Sequence, residues 1–271
     1  MPLEFSITTD LAGQKSELSV FLDVIAGSGF QTIHWCYDWT GEPVFYGTEF
    51  TAAVRRTVDS CGVRIADVHS YDGPWPEKNV DAVLRQRLEL DLNRIAFAAG
   101  VGAEVVVLHL CPHPDDSDED FYRHCAEKLA VLLPAAREAG VRLAAENLVL
   151  KWHTDEFFGR LLDAFRDDGL GFCYDSGHAI LNHQEHLLER HIGDLLATHL
   201  HDNDGQSDQH LPPGRGRADW PAILGTIAAS DYGGTLNLEL KLPDGETPDT
   251  FCRLAFRTLS DLWARHGGTD R

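Results

Sequence analysis

The chain has 271 residues, enough for one α/β barrel or two small domains, and 43% of them are hydrophobic, which is ample for a core. Its 43 acidic against 23 basic side chains give a formal net charge of −20, a surface that repels nucleic acid and anionic membranes at long range. No apolar run approaches the roughly 20 residues that span a bilayer, and Met1-Pro2-Leu3-Glu4-Phe5 lacks the basic start and apolar stretch of a secretory leader.

In chain order, short β-like runs alternate with longer helical ones. EFSIT (4–8) precedes SELSVFLDVIAGSG, and FQTIHW (30–35) precedes EFTAAVRRTVDSCG. VRIADVH (63–69) precedes a helical run over 79–99. AEVVVLHL (103–110) precedes DEDFYRHCAEKLAVLLPAAREAG, and VRLAAEN (141–147) precedes TDEFFGRLLDAFRDDG. LGFCYD (170–175) precedes NHQEHLLERHIG. LLATHLH (195–201) precedes a polar loop and then ADWPAILGTIAAS. GTLNLELK (234–241) precedes TPDTFCRLAFRTLSDLWARHG. Gly62, Gly100 and Gly140 stand where left-handed helix C-caps are expected.

Eight strand–helix units imply parallel pairing with right-handed crossovers, and in about 270 residues they match an α/β fold of the (β/α)8 barrel type, a single domain over 1–271. A doubly wound open sheet is the competing architecture. It is disfavoured in its dinucleotide-binding form because no glycine-rich phosphate fingerprint follows the first strand. The six cysteines (36, 61, 111, 125, 173, 252) are scattered without a C-x-x-C pair, which reads as reduced thiols in a cytoplasmic protein.

The strand ends carry the chemistry. His34, His69, His109, Glu146, Asp175, His201 and Glu239 stand at or near the ends of strands two to eight. In a barrel those ends form one ring around the mouth. A single histidine there is most often a satisfied core residue, but a carboxylate is costly to bury without a partner. Seven such residues in register point to a site. Imidazoles and carboxylates without cysteine suit a divalent ion such as Mn, Co, Mg or Zn; no organic cofactor is indicated. YDSGH spaces Asp175 and His178 three apart. In HLHDNDGQSDQHLPPGRG (199–216), Asp208 and His210 project to one side if the loop is extended.

AAENL, YDSGH, HLHDNDG…DQHLPPGRG and LNLELK, in this order, resemble the xylose isomerase-like TIM-barrel superfamily of sugar isomerases and epimerases, over essentially the whole chain. The resemblance implies one divalent ion held by Glu146, Asp175, His201 and Glu239. It also implies Glu146 and Glu239 as acid/base groups that remove and return a proton beside a carbonyl, with His178 as donor to the substrate oxygen. The chain also resembles endonuclease IV, whose nine-ligand, three-zinc set finds counterparts in His69, His109, Glu146, Asp175, His178, His201, Asp208, His210 and Glu239. His34 is a departure, because many sugar-isomerase relatives carry a glutamate near the end of strand two.

The expected substrate is a small sugar, sugar phosphate or polyol, contacted by His34, Trp35, His69, His109, Trp152, His178 and Lys241, with Trp39 and Trp75 also at the mouth. Arg215 and Arg217 are candidates for meeting an acidic substituent. The alternatives are a multinuclear zinc phosphodiesterase acting on a small phosphoester, lyase or dehydratase chemistry, and a binding protein on a retired barrel, which predicts a broken ligand set. No nucleic-acid or membrane partner is expected. A homodimer stays open, since exposed barrel helices often support one.

Overall fold

The computed structural model describes residues 3–11, 17–36, 44–71, 80–111, 113 and 115–267. Eight strands, β1 (Glu4–Thr8), β2 (Thr32–Trp35), β3 (Arg64–His69), β4 (Val105–Leu108), β5 (Arg142–Glu146), β6 (Leu170–Asp175), β7 (Leu195–His199) and β8 (Thr235–Leu238), pair in parallel in the order β7-β6-β5-β4-β3-β2-β1-β8. The ring closes beyond the end of β7. Leu200 bridges to Leu238, its N–H donating to Asn237 O at 2.8 Å while its own carbonyl accepts from Glu239 N at 3.2 Å. The expected (β/α)8 TIM barrel is therefore what forms.

The helices are α1 (Leu18–Ser28), α2 (Thr48–Cys61), α3 (Val80–Val101), α4 (Asp118–Ala139), α5 (Asp155–Phe165), α6 (Ser176–Leu181), α7 (Leu187–His191), α8 (Trp220–Ala228) and α9 (Pro248–His266). The helix expected over 182–193 forms only as α7, running into a 3-10 turn at Ile192–Asp194, and a further short helix, α6, precedes it. α6 starts directly after β6 because the Asp175 side chain caps it, accepting from His178 N at 2.6 Å. Gly62 and Gly140 are left-handed C-caps as expected, but Gly100 lies inside α3 and Gly102 (φ 81°) takes the left-handed turn. Gly100 is small for packing: a Cβ there would stand 2.5 Å from Thr51 Cγ2 on α2.

Alternation along each strand divides the core in two. Side chains facing outward, such as Ile7, Ile33, Val68, Val106, Leu143 and Phe172, meet the helices in one large apolar layer. Inside the barrel a small apolar cluster of Val105, Val107, Ala144, Cys173 and Ala197 fills the β4–β7 side. Strands β1, β2, β3 and β8 contribute buried polar side chains instead: Ser6, Thr8, Thr32, His34, Asp67 and Asn237. No helix among the described residues is long and apolar enough to cross a membrane.

Trp35 follows the same rule. His34 points inward, so Trp35 points outward, where it packs on Phe97 with ring centroids 5.3 Å apart and donates to Tyr46 Oη at 3.3 Å. The expectation that Trp35 binds substrate is thereby corrected: it belongs to the helix layer.

Candidate metal centre

Several strands stop earlier than their apolar runs do. β4 ends at Leu108, β7 at His199 and β8 at Leu238, so His109, His201 and Glu239 lie one or two residues past their strands. His69, Glu146 and Asp175 are last residues, as expected. All of these side chains are buried.

Glu146 is the hub. Its Oε2 accepts from His109 Nε2 at 3.0 Å and stands 3.2 Å from His199 Nδ1 and 3.5 Å from His69 Nε2, while Oε1 lies 3.3 Å from His178 Nδ1. His199 Nδ1 is also 3.1 Å from Glu239 Oε2. Despite these short approaches, neither ring nitrogen of His199 is aligned for a hydrogen bond, and Glu239 Oε1 has no partner among the described residues. Such groups converge on a common point more than on one another. Glu146, Asp175, His199 and Glu239 each bring a donor atom within 4.8 Å of the others. Three hard oxygen donors and an imidazole in this arrangement fit a divalent ion.

The fourth member corrects the sequence assignment. His199, not His201, joins Glu146, Asp175 and Glu239. His201 sits two residues farther along the chain, stacked on His210 at 4.1 Å and 10°, with its Nε2 donating to Asp175 Oδ2 at 3.0 Å. It shares a separate group with His210 and Glu239.

The loop after β7 is folded by Asp202. This buried carboxylate accepts from Gly214 N, Ala218 N and Trp220 Nε1 at 2.9–3.1 Å, and its backbone pairs with Leu211. The loop thereby returns over the mouth. His210, in a left-handed conformation (φ 49°), donates from Nδ1 to Glu239 O at 2.9 Å and from Nε2 to Asp208 Oδ2 at 3.0 Å. Asp208 also stands 3.6 Å from His178 Nε2. Asp208 and His210 are thus brought to the cluster, by a left-handed turn at His210 and not by the extended backbone that their spacing presupposed.

Below it, His34 Nδ1 donates to Asp67 Oδ1. The His34 ring meets His199 and His69 edge-on, at 4.6 and 5.5 Å between centroids. Burial keeps the His34 pKa below its ordinary value, Asp67 notwithstanding.

The electrostatics favour cations. Burial alone would raise the carboxyls of Glu146 and Glu239, but the His199 charge outweighs it and holds both well below the usual range. Burial opposes a charged His178, yet Asp175, Asp208 and Glu146 pull it well above its ordinary pKa. His210 is raised to about 9, the Asp208 hydrogen bond and Glu239 overcoming burial. Asp10, just past β1, is pushed up to about 6 by burial and by Glu239.

Sequence reading missed His199, Asp67 and Asp10. The visible signal for the last was TTD directly after an apolar strand, the same pattern that marked the other strand ends. Trp152 is half-buried against Phe121 of α4, 5.5 Å between rings, and serves packing there. Lys241 is exposed and lies past the end of β8. Arg215 and Arg217 are exposed. Trp39 and Trp75 fall outside the described residues. Among the described residues, a cavity of about 380 Å³ opens beside His109, lined also by Arg87, Leu110, Cys111, His124 and Lys128, a size suited to a small molecule.

A family model described as the xylose isomerase-like TIM barrel matches residues 22–253. The uncharacterized protein y4fM of Sinorhizobium fredii is 34% identical over 253 residues, covering 80% of this chain and 79% of that one. Among solved structures, a D-tagatose 3-epimerase-like protein superposes with TM-score 0.76 over 97% of this chain and 98% of its own, at 19% identity. The IOLI protein with a binding zinc atom does so with TM-score 0.76 over 98% and 100%, at 16% identity. At these identities the two structures share the fold.

Proposed function

The chain belongs to the xylose isomerase-like TIM barrel family, and on that premise we propose that it is a divalent-metal-dependent isomerase or epimerase of a small sugar, sugar phosphate or polyol. The observation that carries this reading is the convergence of Glu146, Asp175, His199 and Glu239 on one point at the barrel mouth. These four would hold the ion. A divalent ion there lowers the cost of the negative charge that develops on neighbouring substrate oxygens when an adjacent C–H is deprotonated.

The remaining work falls to the chain's own side chains. Glu146 and Glu239 reach the site from β5 and from beyond β8, so they approach a substrate from different sides. Each carboxylate would be able to accept a proton from carbon and return it. His178 has 13% of its side chain exposed, against 0–7% for His69, His109, His199 and His201, so it is the imidazole turned most toward an entering molecule. Its bond to Asn147 O, 3.0 Å from Nδ1, fixes the ring and turns Nε2 toward Asp208, 3.6 Å away, so that a substrate oxygen entering between them would meet the Nε2 proton. Burial of the whole cluster keeps bulk water from the transferring proton.

The test is deuterium exchange. Protein loaded with Mn, Zn, Co or Mg is incubated in D2O with a panel of ketoses, aldoses, their phosphates and keto-polyols, and proton NMR follows the signal beside the carbonyl. Exchange by the wild type and none by Glu146→Gln or Glu239→Gln supports the assignment; near-normal exchange by either variant rejects it.

A second reading has one specific observation in its favour. His69, His109, Glu146, Asp175, His178, Asp208, His210 and Glu239 form one continuous network around His199, which is a set large enough for several ions. Three zinc ions per chain with hydrolysis of bis(p-nitrophenyl) phosphate, and no exchange beside any carbonyl, would make the protein a zinc phosphodiesterase instead.

A further inference from the structure

We propose that His34 is itself a metal ligand, oriented by Asp67, and that with His69 and Glu239 it forms an additional divalent-cation subsite on the β2–β3–β8 side of the barrel. The proposal shares with the preceding reading only the premise that this cluster binds metal.

His34 and Asp67 are register partners across β2 and β3, at the point where the pairing shifts by one residue. The pair is buried, and the Asp67 carboxylate takes the Nδ1 proton. That bond fixes the tautomer: the lone pair is on Nε2, which faces the interior and has no hydrogen-bond partner among the described residues. An imidazole whose far nitrogen is tied to a carboxylate, presenting the near one, is how metal-binding histidines are commonly held. His69 repeats the construction with a backbone carbonyl. Its Nδ1 donates to Ser70 O at 2.6 Å, and Nε2 is turned into the cluster.

Glu239 supplies the third donor and divides its oxygens. Oε2 lies 3.1 Å from His199, on the side of the four-residue group, while Oε1 is buried without a partner. A carboxylate so placed serves two neighbouring ions. His34, His69 and Glu239 each bring a donor atom within 4.8 Å of the others. Burying a polar atom without a partner is costly, and a cation bound at Nε2 of His34 removes that cost. Two imidazoles and one carboxylate without sulfur suit zinc, cobalt or manganese. The residue that departs from the glutamate of many sugar-isomerase relatives is, on this reading, the one that adds an ion.

Zinc is the probe. The wild-type chain, loaded with zinc alone, is crystallised and anomalous difference maps are recorded at the zinc edge, with elemental analysis of the same sample. The expected result is a peak bounded by His34, His69 and Glu239, separate from any peak among Glu146, Asp175, His199 and Glu239. In His34→Gln the first peak is lost and the count falls by one ion per chain. Asp67→Asn weakens zinc retention there by about 10- to 100-fold, the usual effect of removing such a carboxylate partner. A wild-type map with density at the four-residue group and only water beside His34 overturns the proposal, as does an unchanged zinc count in folded His34→Gln. Where a variant fails to fold, the wild-type map decides. A peak beside His34 with none at the four-residue group sinks the isomerase assignment and leaves this subsite standing; the reverse pattern does the opposite.

Discussion

Lowering the pH should loosen the mouth of the barrel through His153, a residue outside the Glu146, Asp175, His199 and Glu239 group that fastens two of the strand ends together. His153 Nδ1 accepts from Leu148 N and its Nε2 donates to Leu110 O, both at 2.9 Å. Leu148 is two residues past Glu146 and Leu110 directly follows His109. The ring is completely buried, and burial lowers its pKa from 6.5 to about 4. Between those values the unfolded chain takes up a proton that the folded chain refuses, so the stabilisation is complete above about pH 6.5 and is lost as the pH falls toward 4. At about 1.4 kcal/mol per pH unit, the contribution is about 3 kcal/mol. Urea unfolding of chelator-treated protein, followed by tryptophan fluorescence from pH 7.5 to 4.5, measures it. His153→Gln should be less stable than wild type at pH 7.5 by about 1–3 kcal/mol, for the two hydrogen bonds, and should lose less of its stability over the acid range. Parallel curves for the two proteins between pH 6.5 and 4.5 would refute the reasoning.

Gly177→Ala would place a Cβ 1.9 Å from His201 Cε1, and the fully buried imidazole has to leave Asp175 to make room; we expect a loss of about 1–3 kcal/mol in urea unfolding and faster loss of metal to a chelator, and an unchanged variant would show that the glycine of YDSGH has another purpose. Trp35→Ala should cost about 3–5 kcal/mol of stability while the folded protein keeps the wild-type metal content. A raised KM at unaltered stability would instead return Trp35 to the substrate. Removing the metal should lower the unfolding temperature, since an ion at 100 times its Kd contributes about 2.7 kcal/mol; a melting curve insensitive to chelator would count against a metal centre of any composition.

What the sequence reveals about this site, and what it hides, both follow from strand geometry. Apolar runs of four to six residues separated by helical periods were enough to place all eight strands, because each strand must bury both faces. Parity then tells which side chains turn into the barrel: His34 and Trp35 are adjacent, so one faces the site and the other the helices, and a reading that sent both to the substrate could not be right for both. Parity does not tell height. His199 and His201 share a face, as do Asp67 and His69, and Asn237 and Glu239. Which member of each pair stands level with Glu146 depends on the stagger between neighbouring strands, which shifts by a residue at Ile33/His34 and again at Phe172/Cys173. Those irregularities lie in the pairing of β2 with β3 and of β6 with β7, and neither strand of a pair carries a mark of them in its own sequence. The apolar run LLATHLH therefore suggested a strand lasting to His201, whereas β7 stops at His199 and the chain leaves by a single bridge from Leu200 to Leu238. The same stagger sets His34 beside Asp67, a pairing that neither residue announces in sequence. The order of chemistry-bearing residues around the ring was legible; their depth along the barrel axis, which decides which donor atoms come together, is a property of the closed sheet.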